Sequence, residues 1–346
     1  MTTRIGVALK AFAAAAAVVS LAGVVVVGQE AVNATGKTAA VTKTAKNWTP
    51  PRTAWGDPDL QGTYTNKDES GIPFERPGQF DGKGITDVDD VELAELIRER
   101  QKQIAERAPL AGGETGAGPI HWYENATAKN SRAWLVVDPR DGRIPPQTAE
   151  AEQRAAALAQ ARRGRGPADS PEDRSLYDRC ITRGLPGSMM PAIYGNSYQI
   201  MQGPGYVAIR YEMVHETRMI PLDGRPHVGP DIRLIMGDAR GHWEGKTLVV
   251  ETTNFTDRTN YRGASKFLRM VERFTPTGPN TVEWAATFDD THTWTRPWTF
   301  AMNLTKDGTQ QIFEYACHEG NYGLRNILSA ARAEEKAAAE AVKRPE

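Results

Sequence analysis

Cysteine is nearly missing from this chain: its 346 residues hold two, Cys180 and Cys317. Two thiols outside any CxxC motif are too few for a zinc cluster without histidines, and they argue against dithiol redox chemistry. A surplus of one charge is missing too. The formal net charge of -1 removes the electrostatic argument for nucleic acid or an anionic membrane surface as partner. No HExxH or GxSxG string occurs and no GK[ST] follows the glycine-rich stretch near residue 115, so zincin, α/β-hydrolase and P-loop chemistry have no motif behind them. The six histidines include no pair at helical metal-ligand spacing. No metal or cofactor is therefore expected, although ligands scattered over strands would leave no spacing signature.

What is present begins with an exported-protein pattern. Arg4 and Lys10 precede an unbroken small and apolar run, Ala11 to Val27. Small residues at Val32 and Ala34, or at Val26 and Gly28, fit a signal-peptidase site. Residues 1–34 are expected to be a signal peptide and the mature protein periplasmic or secreted, with no membrane segment; an uncleaved anchor is the alternative reading of the same run. An oxidising compartment allows a Cys180–Cys317 bond, closing a loop that the chain-entropy model values at about 4–5 kcal/mol.

Prolines (22) and glycines (32) are plentiful, which favours turns and ordered loops over a helical bundle. Residues 35–47 are a small, polar, basic leader. Residues 48–196 combine an extended aromatic and proline-rich arm with loops and helices: one helix over 87–107, a surface helix over 148–165, and a short one over 169–180 carrying Cys180. A short strand is expected over 133–137. The glycine-rich stretch 111–118 lacks the strand before it and the helix after it that a phosphate loop requires. It opens onto His121, Trp122 and Tyr123, which are candidate ligand contacts.

From Ser197 the pattern becomes strand and turn. Expected strands are 197–202, 206–215, 217–221, 246–253, 267–274, 281–288, 297–304 and 310–317, within a β domain over 197–327. The clearest alternations are Val282, Trp284, Ala286, Phe288 and Trp298, Phe300, Met302, Leu304. The fold class is mainly β: an antiparallel meander closed as a barrel or folded as a sandwich. A charged helix over 328–346 ends the chain.

Parity within these strands nominates a site. His215 continues the apolar row Val207, Ile209, Tyr211, Met213, while His227 lies in the Gly/Pro loop beyond. Glu272 shares its side with Leu268, Met270 and Phe274. A carboxylate in such a place needs a partner, either an arginine (Arg210, Arg218, Arg273 or Arg296) or a histidine such as His215. Glu314 has the same parity beside Ile312 and Ala316. The candidate acid–base set is His215 as base, Glu272 orienting it, and His318 or Tyr211 as proton donor. His227 and Trp298 join the residues at 121–123 as candidate ligand contacts at a barrel mouth. A structural role for each histidine, and a register-fixing ion pair for Glu272, stand beside that reading.

The strings WTPPRTAWGDPDLQGTY, GPIHWYEN, VVDPRDGRIPP, VHETRMIPLDGRPH, GHWEGKTLVVETTNFTD and YACHEGNYGLRNILSAARAEE resemble a family of exported bacterial proteins of uncertain function. The resemblance covers nearly the whole mature chain and implies that the arm and the β-rich half form one unit. It transfers no reaction and no catalytic residue. Separately, the β half is similar in its pattern to lipocalin-like barrels, an analogy of fold that does not fix function. Three readings follow: a barrel whose cavity takes a small, partly apolar molecule and performs metal-free lyase, isomerase or hydrolase chemistry; a non-catalytic small-molecule binding protein; and a His-ligated metal-dependent enzyme.

Overall fold

The strand and turn pattern closes into a sheet of ten strands in a computed structural model that describes residues 48–105, 124, 128–258, 261–309 and 311–343. The strands are β1 (Gly62–Thr65), β2 (Val136–Asp138), β3 (Ser197–Gly203), β4 (Tyr206–Tyr211), β5 (Thr217–Pro221), β6 (Asp238–Glu244), β7 (Thr247–Thr253), β8 (Arg269–Gly278), β9 (Thr281–Asp289) and β10 (Trp298–Lys306). Every pairing is antiparallel, in the order β5-β4-β3-β1-β10-β9-β8-β7-β6, with β2 also on β10. Tight turns make the hairpins. Pro204 and Gly205 (φ +80) join β3 to β4, and Gly245 (φ +61) with Lys246 joins β6 to β7. Glycine takes these left-handed positions because a Cβ would strain them.

The sheet curls until its two end strands meet, giving a nearly closed barrel. No ladder joins β5 to β6. Side chains close the gap instead. A Cβ on Gly241 of β6 would lie 2.6 Å from Leu222 and 2.8 Å from Ile220, so the bare backbone here admits side chains from the end of β5 and the residue after it. The 222–237 connection is fastened alongside. Asn254 donates to the carbonyls of Val228, Gly229 and Ile232.

The interior is filled by alternate residues of the strands. Val282, Trp284, Ala286 and Phe288 of β9 face it, as do Trp298, Phe300, Met302 and Leu304 of β10. Phe288 and Trp298 stack at 4.4 Å between centroids, and Trp294 meets Trp298 edge-on at 5.5 Å. These rings belong to one core with Tyr64, Tyr198, Ile209 and Phe274.

Among the described residues three α-helices lie outside the sheet: α1 (Asp90–Ala105), α2 (Ala149–Ala161) and α3 (Tyr322–Val342). Asp89 caps α1 by accepting the Val91 and Glu92 amides, each at 2.9 Å. Leu93 and its half-buried neighbours Leu96 and Ile97 then pack on Phe80 and Trp134. Thr148 caps α2 through Ala151. α3 begins at Tyr322, earlier than its sequence pattern implied, with Asn321 as cap.

Several expectations are corrected. Part of the extended arm is a strand: β1 sits between β3 and β10, pairing Tyr64 with both Tyr198 and Lys306. β6 is a further strand that none of the expected ones covers, because Gly241 and its charged neighbours interrupt any apolar row. Residues 310–317 form no strand among those described. Both edges of β10 are already occupied, by β9 on one side and by β1 and β2 on the other, so a following strand has no place beside it. Over 169–180 only a 3-10 turn, Pro171–Asp173, appears. Cys180 and Cys317 are joined, with Cα atoms 5.6 Å apart.

Candidate functional site

The barrel interior holds a buried polar centre, and Glu272 is at its heart. Strand parity carries Glu272 inward on β8, where it is 0% exposed. Its Oε2 lies 2.6 Å from Nη1 of Arg218, which β5 brings inward from the other side of the seam. The indole N–H of Trp284 donates to Oε1 at 3.2 Å, and Arg218 Nη2 donates to Thr252 Oγ1 at 2.5 Å. Burial pulls the Arg218 guanidinium down, but the charges of Glu272 and Tyr211 and its hydrogen bonds to them together outweigh burial and hold the cation above its ordinary value. Tyr211 lies beside this pair, and its phenol is pushed up by burial. Charged, hydrogen-bonded groups of this kind fix register and closure. The partner is an arginine, one of the options that parity had left open.

The expected acid–base set is not brought together around Glu272. Tyr211 is, but neither histidine is among Glu272's hydrogen-bond or ion-pair partners. The row that placed His215 inward stops at Tyr211. Val214 (φ +62) and His215 (φ +44) then take left-handed conformations in a 3-10 turn, and the parity of the strand is lost. His215 is exposed, with Nδ1 2.9 Å from the Tyr315 carbonyl. His318 and Glu314 are exposed on the irregular segment after β10. Trp298 is fully buried in the core rather than lining a mouth. His121, Trp122 and Tyr123 lie outside the described residues.

His227 has a structural post. Its Nδ1 is 3.0 Å from Asp238 Oδ2, and its Nε2 is 3.2 Å from Glu251 Oε1. It thereby ties the β5–β6 connection to β6 and β7. Burial pushes the Asp238 carboxyl up, but the Val228 amide, His227 and Arg240 together hold it below its ordinary value. Among the described residues, no group of three or more His, Cys, Asp or Glu side chains is placed to hold a metal ion.

The most site-like concavity is at the end of the barrel where β10 begins. It is a cleft of about 660 Å³. Its floor continues the core's aromatic stack: Phe74 packs edge-on to Phe300 at 5.4 Å, and Tyr261 stacks on Phe288 at 5.5 Å. Its far wall is the loop 182–190, anchored by buried Leu185 and Met189. Thr182 fixes the start of that loop by donating to Glu216 at 2.6 Å and accepting the Gly184 amide at 2.9 Å.

Three arginines, Arg183, Arg258 and Arg262, border the cleft. The Arg262 guanidinium sits 4.0 Å above the Phe74 ring centroid and 5.7 Å from that of Tyr261. Arg183 lies 5.2 Å over Tyr177. Such stacking restrains a guanidinium while leaving its N–H fork able to donate. Arg262 also holds φ at +54, a costly conformation for a side-chain-bearing residue and one that concentrates at functional sites. Burial raises the phenols of Tyr177 and Tyr261, so both stay neutral and able to donate a hydrogen bond. The arrangement is suited to holding a flat, partly apolar molecule.

None of these cleft residues was a sequence-level candidate. They come from segments around 74, 177–190 and 258–262, with no spacing that links them. The available signal was arginine beside aromatic residues, as in Tyr261-Arg262, and that pattern is too common to select a site. No protein-family model, curated protein or solved structure matches the chain.

Proposed function

We propose that this protein is a non-catalytic binding protein that holds a small, partly apolar molecule in the cleft at the end of its barrel. The observation that carries the reading is the Arg262–Phe74–Tyr261 arrangement: a concave aromatic surface continuous with the core, bordered by restrained donors. The packed interior moves the expected binding place from the inside of the barrel to its end. The binding reading is favoured over acid–base catalysis because Glu272 is committed to Arg218 and Trp284 while His215 and His318 face solvent. Export remains part of the proposal. It is supported by the N-terminal apolar run and the Cys180–Cys317 bond, and among the described residues no helix is long and apolar enough to cross a membrane.

Gly187 offers a direct test. It lines the cleft, and a Cβ built there meets only the Arg183 Cβ, at 3.8 Å. Gly187→Trp should fill the cleft while leaving the barrel intact. Titration calorimetry with 2-naphthamide and 2-naphthoate should show saturable binding to the native protein and its loss in the variant. Absence of saturable binding to the native protein, or unchanged binding to a folded Gly187→Trp, refutes the reading.

A further inference from the structure

Resting on the cleft reading above, we infer that the bound molecule is an acid: a flat apolar body carrying a carboxylate, sulfonate or phosphate. The inference comes from the charge inventory of the cleft. Arg183, Arg258 and Arg262 all border it, and among the described residues no aspartate or glutamate does. None of the three makes an ion pair with a carboxylate among the described residues. Arginines just beside them do: Arg174 pairs with Asp178 at 3.1 Å, and Arg179 approaches Glu172 at 3.9 Å.

The chain as a whole carries a formal charge of -1, so this concentration of cation is local rather than a general basicity. The cleft phenols do not offset it, because burial keeps Tyr177 and Tyr261 in their neutral, donating form. Every polar side chain named at the rim can therefore donate, and the three strongest donors are cations. An acceptor-only group complements that set. A neutral amide or alcohol would use the aromatic floor and leave the guanidiniums to water.

The geometry also specifies how the ligand is oriented. The apolar wall of Leu185 and Met190 and the rings of Phe74 and Tyr261 take the flat body. Arg262 and Arg258 come from one segment, and Arg183 from the facing loop. The acidic group sits at the rim, where Arg262 and Arg258 are exposed and Arg183 is half-buried. Stacking over Phe74 lowers the ordering cost of engaging Arg262, because that side chain is already held in place. Exposure at the rim limits the strength of each ionic contact and makes it sensitive to salt.

The test compares 2-naphthoate, 2-naphthyl phosphate and neutral 2-naphthamide as probes of the native, disulfide-bonded protein by titration calorimetry. At least one acid should bind about tenfold more tightly than the amide, and the better of the two identifies the acidic group. Arg183→Ala and Arg262→Ala should each weaken that acid by about fivefold, as expected for exposed ionic contacts, and weaken the amide by much less. Arg262→Lys should recover part of the loss, since it restores the charge but not the planar fork. Salt raised to about 0.5 M should erode acid binding alone. Equal binding of acids and amide, or a loss in both alike on removing an arginine, overturns the inference while leaving the cleft reading standing. If no probe binds the native protein, both fall.

Discussion

The Arg218–Glu272 pair gives the sharpest energetic prediction. Its nearest atoms are 2.6 Å apart, with the two side chains 4% and 0% exposed. At an effective dielectric of about 20, unit charges about 4 Å apart attract by about 4 kcal/mol. Burial costs several kcal/mol per ion, so the pair roughly breaks even, whereas an ion left alone keeps the cost without the attraction. Glu272→Gln and Arg218→Met should each destabilise the protein by about 3–5 kcal/mol. At about 2 °C per kcal/mol for a chain of this size, the melting midpoint should fall by roughly 6–10 °C.

The two variants should differ in their pH response. A stranded carboxylate can take up a proton, but a stranded guanidinium cannot release one. Arg218→Met should therefore be less damaging at about pH 5 than at about pH 8, while Glu272→Gln behaves alike at both. The double variant Arg218→Met/Glu272→Leu, with no charge left to strand, should lie within about 2 kcal/mol of the native protein. Urea denaturation followed by circular dichroism at the two pH values reads all of this. Single variants within about 1 kcal/mol of native, or a double variant that loses the sum of the singles, would refute the reasoning.

Two further predictions concern the C-terminal segment and the arm. The Cys180–Cys317 bond closes a separation of 137 residues, for which the chain-entropy model gives about 5 kcal/mol. Residues 311–321 form no strand and Phe313 is 72% exposed, so Cys180→Ala/Cys317→Ala should make the chain beyond β10 cleavable before the barrel melts. Limited proteolysis that cuts the disulfide-bonded and variant proteins at the same rate there would sink this. Glu69 accepts the Ser131 amide and hydroxyl at 3.0 and 2.6 Å, yet burial holds its carboxyl above the ordinary value despite those bonds. The folded state thus holds that proton more tightly than the unfolded chain. Stability is complete below the unfolded value, about 4.3, and declines as pH rises towards the raised folded one. Glu69→Gln should remove that decline from the stability–pH curve, and a difference curve that is flat or slopes the other way counts against it.

The β half was legible because strands such as β8, β9 and β10 are long, alternate strictly and are bounded by turn residues. Glu272 was legible for the same reason: one polar residue in an apolar row has a computable direction, though its partner cannot be read from one strand. Short strands behave differently. β1 and β2 span four and three residues, too few for a period to register, and their place in the sheet is decided by which edge of β10 is vacant. His215 shows the limit of parity, since two left-handed residues cancel a row that the letters appear to continue. The cleft was not legible at all, because it is assembled from loops whose proximity exists only after the barrel closes.

The meeting of β5 and β6 gives the barrel a direction of weakness. Eight junctions along its circumference are backbone ladders, and separating any one means breaking amide–carbonyl bonds in series. The ninth is held by Ile220 and Leu222 over Gly241, by the Arg218–Glu272 bridge inside and by His227 with Asp238 and Glu251 outside. Local opening follows the boundary with the fewest cooperative bonds, so breathing should start there, with the outward amides of β5 and β6 exchanging hydrogen ahead of those in β8 and β9. While the boundary is shut, each of the two free edges is covered by the other and offers a neighbouring chain little to pair with. Side chains far apart in sequence therefore govern the protein's resistance to edge-to-edge association.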